Sequence, residues 1–117
     1  MRQDLNAILD KIKRFRDDRD WMQFHSPKNL AVSVVLEASE LLEQFQWKTD
    51  EEVERYLKAN QVAVEEEVAD VAIYLLELAD KLGIDLIDVM ERKIEKNEIK
   101  YPVARARGKA AKYTTFQ

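Results

Sequence analysis

Residues 36–47, LEASELLEQFQW, decide the fold and point to a site. Their apolar residues recur at the three- and four-residue spacing of an amphipathic helix, yet Glu37 and Glu40 lie one turn apart among them. At about 100° per residue, the two acids form a stripe with apolar residues on both flanks. A stripe that only faced solvent would have polar neighbours on at least one side. Two interpretations of the pair are open, a solvated helix face and a cation site, and the apolar flanks favour the cation site.

A second apolar stretch, VAVEEEVADVAIYLLELADKL at residues 62–82, repeats the arrangement. Glu67 and Asp70 have the same three-residue spacing, and valines and leucines lie beside them. Side chains three apart on a helix have Cβ atoms about 5 to 6 Å apart, close enough to share a ligand. If the two helices pack antiparallel along their apolar faces, four carboxylates converge.

Such a cluster of acids needs compensation. Two like charges about 4 Å apart repel by roughly 4 kcal/mol at an effective dielectric near 20, so the cluster must take up protons or bind cations. Carboxylates alone suit hard ions such as Mg²⁺ or Mn²⁺, which usually complete their coordination with substrate phosphates. A di-iron carboxylate bundle is the competing metal site. It uses Glu-x-x-His motifs, however, and the one histidine, His25, lies in another segment.

Composition favours an all-α protein. The 117 residues fit one domain, and 46% hydrophobic and 36% charged residues with only two glycines and two prolines are typical of long helices. We expect a four- to five-helix bundle-like subunit. The predicted helices cover about 3–19, 27–47, 49–60, 62–82 and 85–99. The expected domain is 1–102, and 103–117 is expected to form a basic C-terminal arm, which its composition alone leaves open between a mobile terminus and a nucleic-acid arm.

Local signals mark several helix ends. Ser26 can cap the second helix with Pro27 at its first position, because proline's missing N–H is not needed there. Thr49 and Glu52 form a capping-box pattern. Gly83 can end a helix in a left-handed conformation, and Asp85 can cap the next.

Several classes of function are excluded or disfavoured. The absence of cysteine rules out disulfides and thiolate sites, and a single histidine rules out zinc sites built from several histidines. No run approaches the roughly 20 apolar residues of a membrane span, and the first residues lack a signal peptide's apolar stretch. A net charge of -4 disfavours non-specific nucleic-acid binding. We expect a cytoplasmic protein without membrane or nucleic-acid partners.

The two acid pairs resemble the ExxE and ExxD signature of the MazG-like all-α nucleotide pyrophosphohydrolases. Three stretches resemble their dCTP pyrophosphatase branch, which includes integron-encoded members: RDWMQFHSPKNL at 19–30, ELLEQFQWKTD at 40–50 and KNEIKYPVARARGKAAKYT at 96–114. The resemblance implies hydrolysis of deoxynucleoside triphosphates, dCTP or modified analogues, between the α and β phosphates. The products would be the monophosphate and pyrophosphate, and the role would be removal of unwanted nucleotides from the pool.

The resemblance also implies a Mg²⁺ site, for which Mn²⁺ is a possible substitute, and a homo-oligomer, usually a dimer of dimers. The implied metal ligands are Glu37, Glu40, Glu67 and Asp70. Glu37 and Glu40 are the candidates for removing a proton from the attacking water.

Other residues are predicted to hold the nucleotide. Trp47 follows Glu40 by two helical turns, about 10 Å, which is about the distance from a triphosphate to its base. Aromatic rings stack on bases for about 1 to 3 kcal/mol each, so Trp47 is expected to form the base pocket together with Trp21, Phe24 and His25. Tyr74, on the acid stripe, is expected to crowd a 2′-hydroxyl. The expected phosphate partners are Lys93, Asn97, Lys100 and Tyr101, and Lys112 is expected to lie in an arm near a neighbouring subunit's site.

Two alternatives remain open. One is a helical interaction module without catalysis, in which the acid pairs form salt bridges between subunits. The other is a related pyrophosphohydrolase that acts on a different substrate, such as phosphoribosyl-ATP.

Overall fold

The computed structural model describes residues 4–110, 112 and 114. All regular elements in this described part are helical, which confirms the all-α prediction. The elements are α1 (Leu5–Asp18), a 3₁₀ turn (Met22–Phe24), α2 (Pro27–Glu43), α3 (Asp50–Lys81), α4 (Leu86–Lys100) and α5 (Val103–Ala106).

The predicted helix-end signals at Ser26, Thr49, Gly83 and Asp85 are confirmed. The Ser26 hydroxyl accepts a hydrogen bond from the Asn29 N–H at 3.1 Å, directly before Pro27. Thr49 and Glu52 form both bonds of a capping box. Gly83 has a φ of 68°, the left-handed conformation that glycine adopts without a steric cost. Asp85 caps α4.

The predicted boundary between a third and a fourth helix is confirmed as a kink, because α3 consists of two helical segments that meet at Asn60. Asn60, where the helix was expected to fade, has non-helical angles (φ -128°, ψ 24°) and marks a kink. Its side-chain amide donates to the Tyr56 carbonyl at 3.0 Å, which gives that acceptor a partner at the kink. The helix therefore bends at Asn60 and continues.

The prediction that α2 reaches Trp47 is wrong, because the helix ends at Glu43 and residues 44–47 form turns. The end of α2 is held by tertiary contacts. Lys48 Nζ donates to the Gln44 carbonyl at 2.8 Å, and the Tyr56 hydroxyl of α3 donates to the Gln44 side chain. These bonds provide partners at the helix end, and Trp47 lies beyond it.

The chain divides into two compact units, residues 1–83 and 84–117. In the first, α2 packs along α3 and α1 also contacts α3. The turn at 44–49 makes α2 and α3 an antiparallel αα-hairpin. Its core includes Leu30, which is 1% exposed, together with Ile12, Val64 and Ala79. The second unit contains α4 and, after Pro102, the short α5.

Much apolar surface is not covered within one subunit. Val35 and Leu36, on α2, are 64% and 59% exposed. They line a shallow groove of about 350 Å³ together with Lys28, Ala31 and Val32. Among the described helices, none combines the length and apolar character needed to cross a bilayer.

Candidate functional site: a carboxylate cluster beside an aromatic cavity

The antiparallel packing of α2 on α3 brings acids from both helices together. One carboxylate oxygen from each of Glu37, Glu67 and Asp70 lies within 4.8 Å of the other two. This arrangement follows from the hairpin, in which Leu30, beside the acid stripe of α2, and Val64, beside that of α3, are buried. The three groups are placed to hold one cation.

Two oxygens in this cluster lack partners. Within the described part of the chain, Oε2 of Glu37 and Oε2 of Glu67 are buried and have no hydrogen-bond partner. A buried polar atom left without a partner costs about 1 to 3 kcal/mol, so native proteins rarely tolerate one. A divalent cation would satisfy both oxygens at once. The carboxylates therefore fit a hard metal ion.

Glu40 interacts electrostatically with this cluster and is its fourth acid. Burial raises the pKa of Glu37, and hydrogen bonding to Glu40 and its charge raise that pKa further. Burial also raises the pKa of Glu67. The charge of Glu40 and a hydrogen bond with the Glu40 side chain raise it further. The charge of Asp70 acts in the same direction on both. Without a cation, the cluster thus favours the protonated state.

A cavity of about 350 Å³ opens next to the cluster. Aromatic, aliphatic and polar side chains of α1, the 3₁₀ segment and α3 line it: Phe15, Trp21, His25, Tyr74, Ile12, Ile73, Lys11, Asp70 and Glu77. Asp70 belongs to both the cluster and the cavity wall. A ligand in this cavity therefore lies directly beside the carboxylates.

The rings in the wall form a continuous series. Trp21 meets Phe15 edge-on, with centroids 5.6 Å apart, and lies 6.5 Å from His25. His25 in turn lies 6.4 Å from the ring of Tyr74. Such a wall suits a flat heterocyclic ligand, because each ring offers a face or an edge for stacking.

Tyr74 links the cavity to the cluster. Burial raises the pKa of its hydroxyl, and the charges of Glu37, Glu77 and Asp70 add to the increase. The hydroxyl therefore remains protonated and can donate a hydrogen bond. This position, on the acid stripe of α3, agrees with the one predicted.

Sequence reasoning missed Glu77, the most buried acid of the site at 5% exposure. Its Oε2 lies 3.0 Å from Nδ1 of His25 but is not aligned for a hydrogen bond. Burial raises the pKa of Glu77, whereas the charges of His25 and Arg16 act in the opposite direction. A signal was present, since Glu77 follows Asp70 by seven residues, which is two helical turns, and falls on nearly the same helix face.

Two residues predicted for the base pocket do not line this cavity, and the predicted phosphate partners belong to the second unit. Phe24 is 60% exposed, and Trp47, in the turns after α2, is 86% exposed; neither is among the described residues of the cavity wall. Lys93 and Asn97 lie on α4, in the second unit, where Lys93 lines a small hollow with Arg92 and Lys96. Lys100 ends α4, Tyr101 caps it, and Lys112 follows α5. The roles of all these residues stay predictions.

Comparisons with known proteins agree with this site. Residues 32–116 match the MazG-like family. The chain is 42% identical over 112 residues to dCTP pyrophosphatase 1 of Bos taurus and 41% identical to that of Homo sapiens, covering 91% of this chain and 66% of each relative. The chain thus spans just under two thirds of the length of these curated relatives. The crystal structure of a pyrophosphatase from Archaeoglobus fulgidus superposes with a TM-score of 0.81 and 48% identity, covering 87% of this chain and 95% of that one.

Proposed function

Because the chain belongs to the MazG-like family, as the resemblance of its acid pairs predicted, we propose that it is a Mg²⁺-dependent nucleoside triphosphate pyrophosphohydrolase. It cleaves a deoxynucleoside triphosphate between the α and β phosphates and releases the monophosphate and pyrophosphate. The observation that carries this proposal is that Asp70 belongs to both the carboxylate cluster and the cavity wall. A carboxylate cluster suited to a cation adjoins a ring-lined cavity through this one residue.

In this proposal Glu37, Glu40, Glu67 and Asp70 hold the magnesium, with Mn²⁺ as a possible substitute. A bound magnesium ion neutralises phosphate oxygens and makes a bound water more acidic. The buried Oε2 atoms of Glu37 and Glu67, which lack hydrogen-bond partners among the described residues, support this assignment, because a bound cation would provide a partner for both.

A carboxylate of the chain then accepts the proton of the attacking water. The water oxygen forms a bond to the α phosphorus, and the bond from that phosphorus to the oxygen bridging to the β phosphate breaks. Pyrophosphate leaves with the electron pair of that bond, and the water's proton passes to a carboxylate. Glu37 and Glu40 are the candidates for accepting it.

The cavity holds the nucleoside in this proposal. Trp21 and His25 contact the base, and Tyr74 lies beside the sugar, where its ring crowds a 2′-hydroxyl. The substrate is dCTP or a close modified analogue, in keeping with the names of the relatives. The role is removal of unwanted nucleotides from the pool, and the predicted cytoplasmic location stays a prediction.

The working form proposed is a homo-oligomer, a dimer of dimers. The exposed apolar side chains of Val35 and Leu36 support this, since such surface is usually covered by a partner. Lys93, Asn97, Lys100 and Tyr101 are the proposed phosphate partners, and Lys112 is proposed to bind the substrate from an arm near a neighbouring subunit's site. Their ammonium, amide and hydroxyl groups are donors that phosphate oxygens accept.

A product analysis tests the reaction. The purified protein is incubated with magnesium and each deoxynucleoside triphosphate, and with phosphoribosyl-ATP, and the products are separated. The proposal predicts monophosphate and pyrophosphate, with dCTP turned over fastest of the four. Release of inorganic phosphate with a diphosphate product would refute cleavage between the α and β phosphates. Turnover of no substrate would favour the non-catalytic interaction module.

A further inference from the structure

Glu77 presents an unused hydrogen-bond acceptor in the wall of the cavity. The side chain is only 5% exposed, and its Oε2 has no hydrogen-bond partner in the part of the chain that the structure describes. The metal cluster does not account for this acid, because the carboxylates that converge are Glu37, Glu67 and Asp70. A buried acceptor of this kind is stabilised by a ligand that brings a donor.

The position of Glu77 matches the base of a bound nucleotide. Glu77 follows Asp70 by seven residues on α3, which is two turns and about 10 Å along the same helix face. Both residues line the cavity. Phosphates held at Asp70 would therefore place the nucleobase near Glu77, between the rings of Trp21 and Tyr74.

The neighbours of Glu77 fix its carboxyl group in place. Nδ1 of His25 lies 3.0 Å from Oε2, and the positive charge of Arg16, itself 6% exposed, acts on the same carboxyl. Burial raises the pKa of Glu77, and these two groups counteract that rise in favour of the ionised carboxylate, which accepts hydrogen bonds and cannot donate them. The exocyclic amino group of cytosine is a donor, whereas uracil and thymine have a carbonyl oxygen at that position.

We propose that Glu77 is a specificity-determining residue that accepts a hydrogen bond from the exocyclic amino group of the substrate's base, with His25 as its positioning residue. The site therefore selects cytosine over uracil and thymine. This inference rests on the proposed nucleotide-binding function of the cavity. A site built to bond a polar group of its ligand rejects analogues without that group strongly, because its own buried atom is then left unpaired.

Equilibrium binding separates this inference from the catalytic proposal. Titration calorimetry with magnesium present measures the affinities of the full chain for dCMP and dUMP, and these monophosphates have no bond between α and β phosphates, so the result does not depend on hydrolysis. The wild type is expected to bind dCMP at least about tenfold more tightly than dUMP, and Glu77→Gln to lose that preference, since the amide can donate to the uracil carbonyl. Equal affinity of the wild type for both, or a dCMP preference unchanged in a folded Glu77→Gln, would overturn it.

Asp80→Asn is the matched control. Asp80 is one turn beyond Glu77, acts on its charge and pairs with Lys13 at 3.4 Å, but is not among the described residues of the cavity wall. The preference for dCMP should persist in this variant. An equal loss of preference in Asp80→Asn would show that the effect is general electrostatics and would contradict a direct contact.

A measurement on the wild type covers the case in which Glu77→Gln does not fold. The deoxynucleoside monophosphate of 2-pyrimidinone lacks the amino group and adds no bulk. It should bind at least about tenfold more weakly than dCMP. Binding as tight as that of dCMP would overturn the role of the amino group, even if the protein hydrolyses dCTP. Hydrolysis without this discrimination would leave the proposed function intact and refute only the inference.

Discussion

Nδ1 of His25 lies 3.0 Å from Oε2 of Glu77, and this contact ties the segment before α2 to the middle of α3. Both side chains are largely buried, and both line the cavity that also contains Trp21. The pair therefore supports the shape of the cavity as well as its charge. Removing one partner leaves the other buried without compensation.

His25→Ala should lower the free energy of unfolding by about 1 to 3 kcal/mol, because the buried Glu77 carboxyl then loses the imidazole that lies against it. In the double variant His25→Ala/Glu77→Gln, the loss should be smaller than the sum of the two single losses, since the residues are in contact. Urea unfolding monitored by circular dichroism measures these differences.

The control for this cycle is the exposed pair Arg92–Asp88 on α4, whose atoms are also 3.0 Å apart. Exposed pairs contribute little, so Arg92→Ala should change stability far less than His25→Ala. Equal effects of the two substitutions would contradict a structural role for the buried pair.

The raised pKa of Glu37 predicts how stability depends on pH without metal. A carboxyl whose pKa is higher in the folded state destabilises the fold as pH rises from its unfolded value of 4.5 through the folded value. Glu37→Gln removes this loss. In EDTA, the variant should thus unfold at a higher temperature than the wild type at pH 7 and at the same temperature at pH 3.5.

Added magnesium should reverse that order at pH 7. It should raise the unfolding temperature of the wild type, because it binds the folded state, and should raise that of Glu37→Gln much less. Thermal unfolding followed by circular dichroism, with and without magnesium, provides both measurements. A wild type that is indifferent to magnesium, or a variant that is stabilised equally, would contradict the assigned ligand.

Trp47 can be tested for substrate contact without a confounding loss of stability. Its side chain is 86% exposed in the subunit, so Trp47→Ala should leave the free energy of unfolding nearly unchanged. If the ring stacks on the base as predicted, KM for dCTP should rise roughly tenfold. Trp21→Ala, in the cavity wall, provides the comparison. An unchanged KM for Trp47→Ala would remove Trp47 from the substrate site.

The apolar groove on α2 predicts an effect on assembly. Val35→Glu places a charge beside the exposed Leu36 and should convert the proposed tetramer into smaller species, which light scattering coupled to size exclusion would detect. Lys58→Glu, an exposed change on α3, should leave the assembly unchanged. A wild type that is monomeric at high concentration would contradict the proposed oligomer.

The hairpin and its acid cluster were predictable because they depend on local periodicity. The stripes of α2 and α3 place Glu37, Glu67 and Asp70 on facing sides before any tertiary information is used. Helix caps at Ser26, Thr49 and Asp85 are equally local, since each is a short polar side chain that bonds the N–H three residues on.

The errors occurred where distant side chains determine the local structure. The end of α2 depends on contacts of Lys48 and Tyr56 with Gln44, and Tyr56 comes from the next helix. The contact between Glu77 and His25 likewise joins segments far apart in sequence. The sequence analysis did not single out Glu77, and only the folded chain shows that it meets His25.

The central claim is that the carboxylate cluster carries a magnesium-dependent pyrophosphohydrolase reaction. The most direct test compares dCTP hydrolysis by the wild type, Glu67→Gln and the matched control Glu54→Gln, an exposed acid on the same helix. We predict dCMP and pyrophosphate from the wild type and the control only when magnesium is present, and a rate at least about a hundredfold lower for Glu67→Gln. Equal hydrolysis by Glu67→Gln and the wild type, or undiminished hydrolysis in EDTA, would contradict the claim.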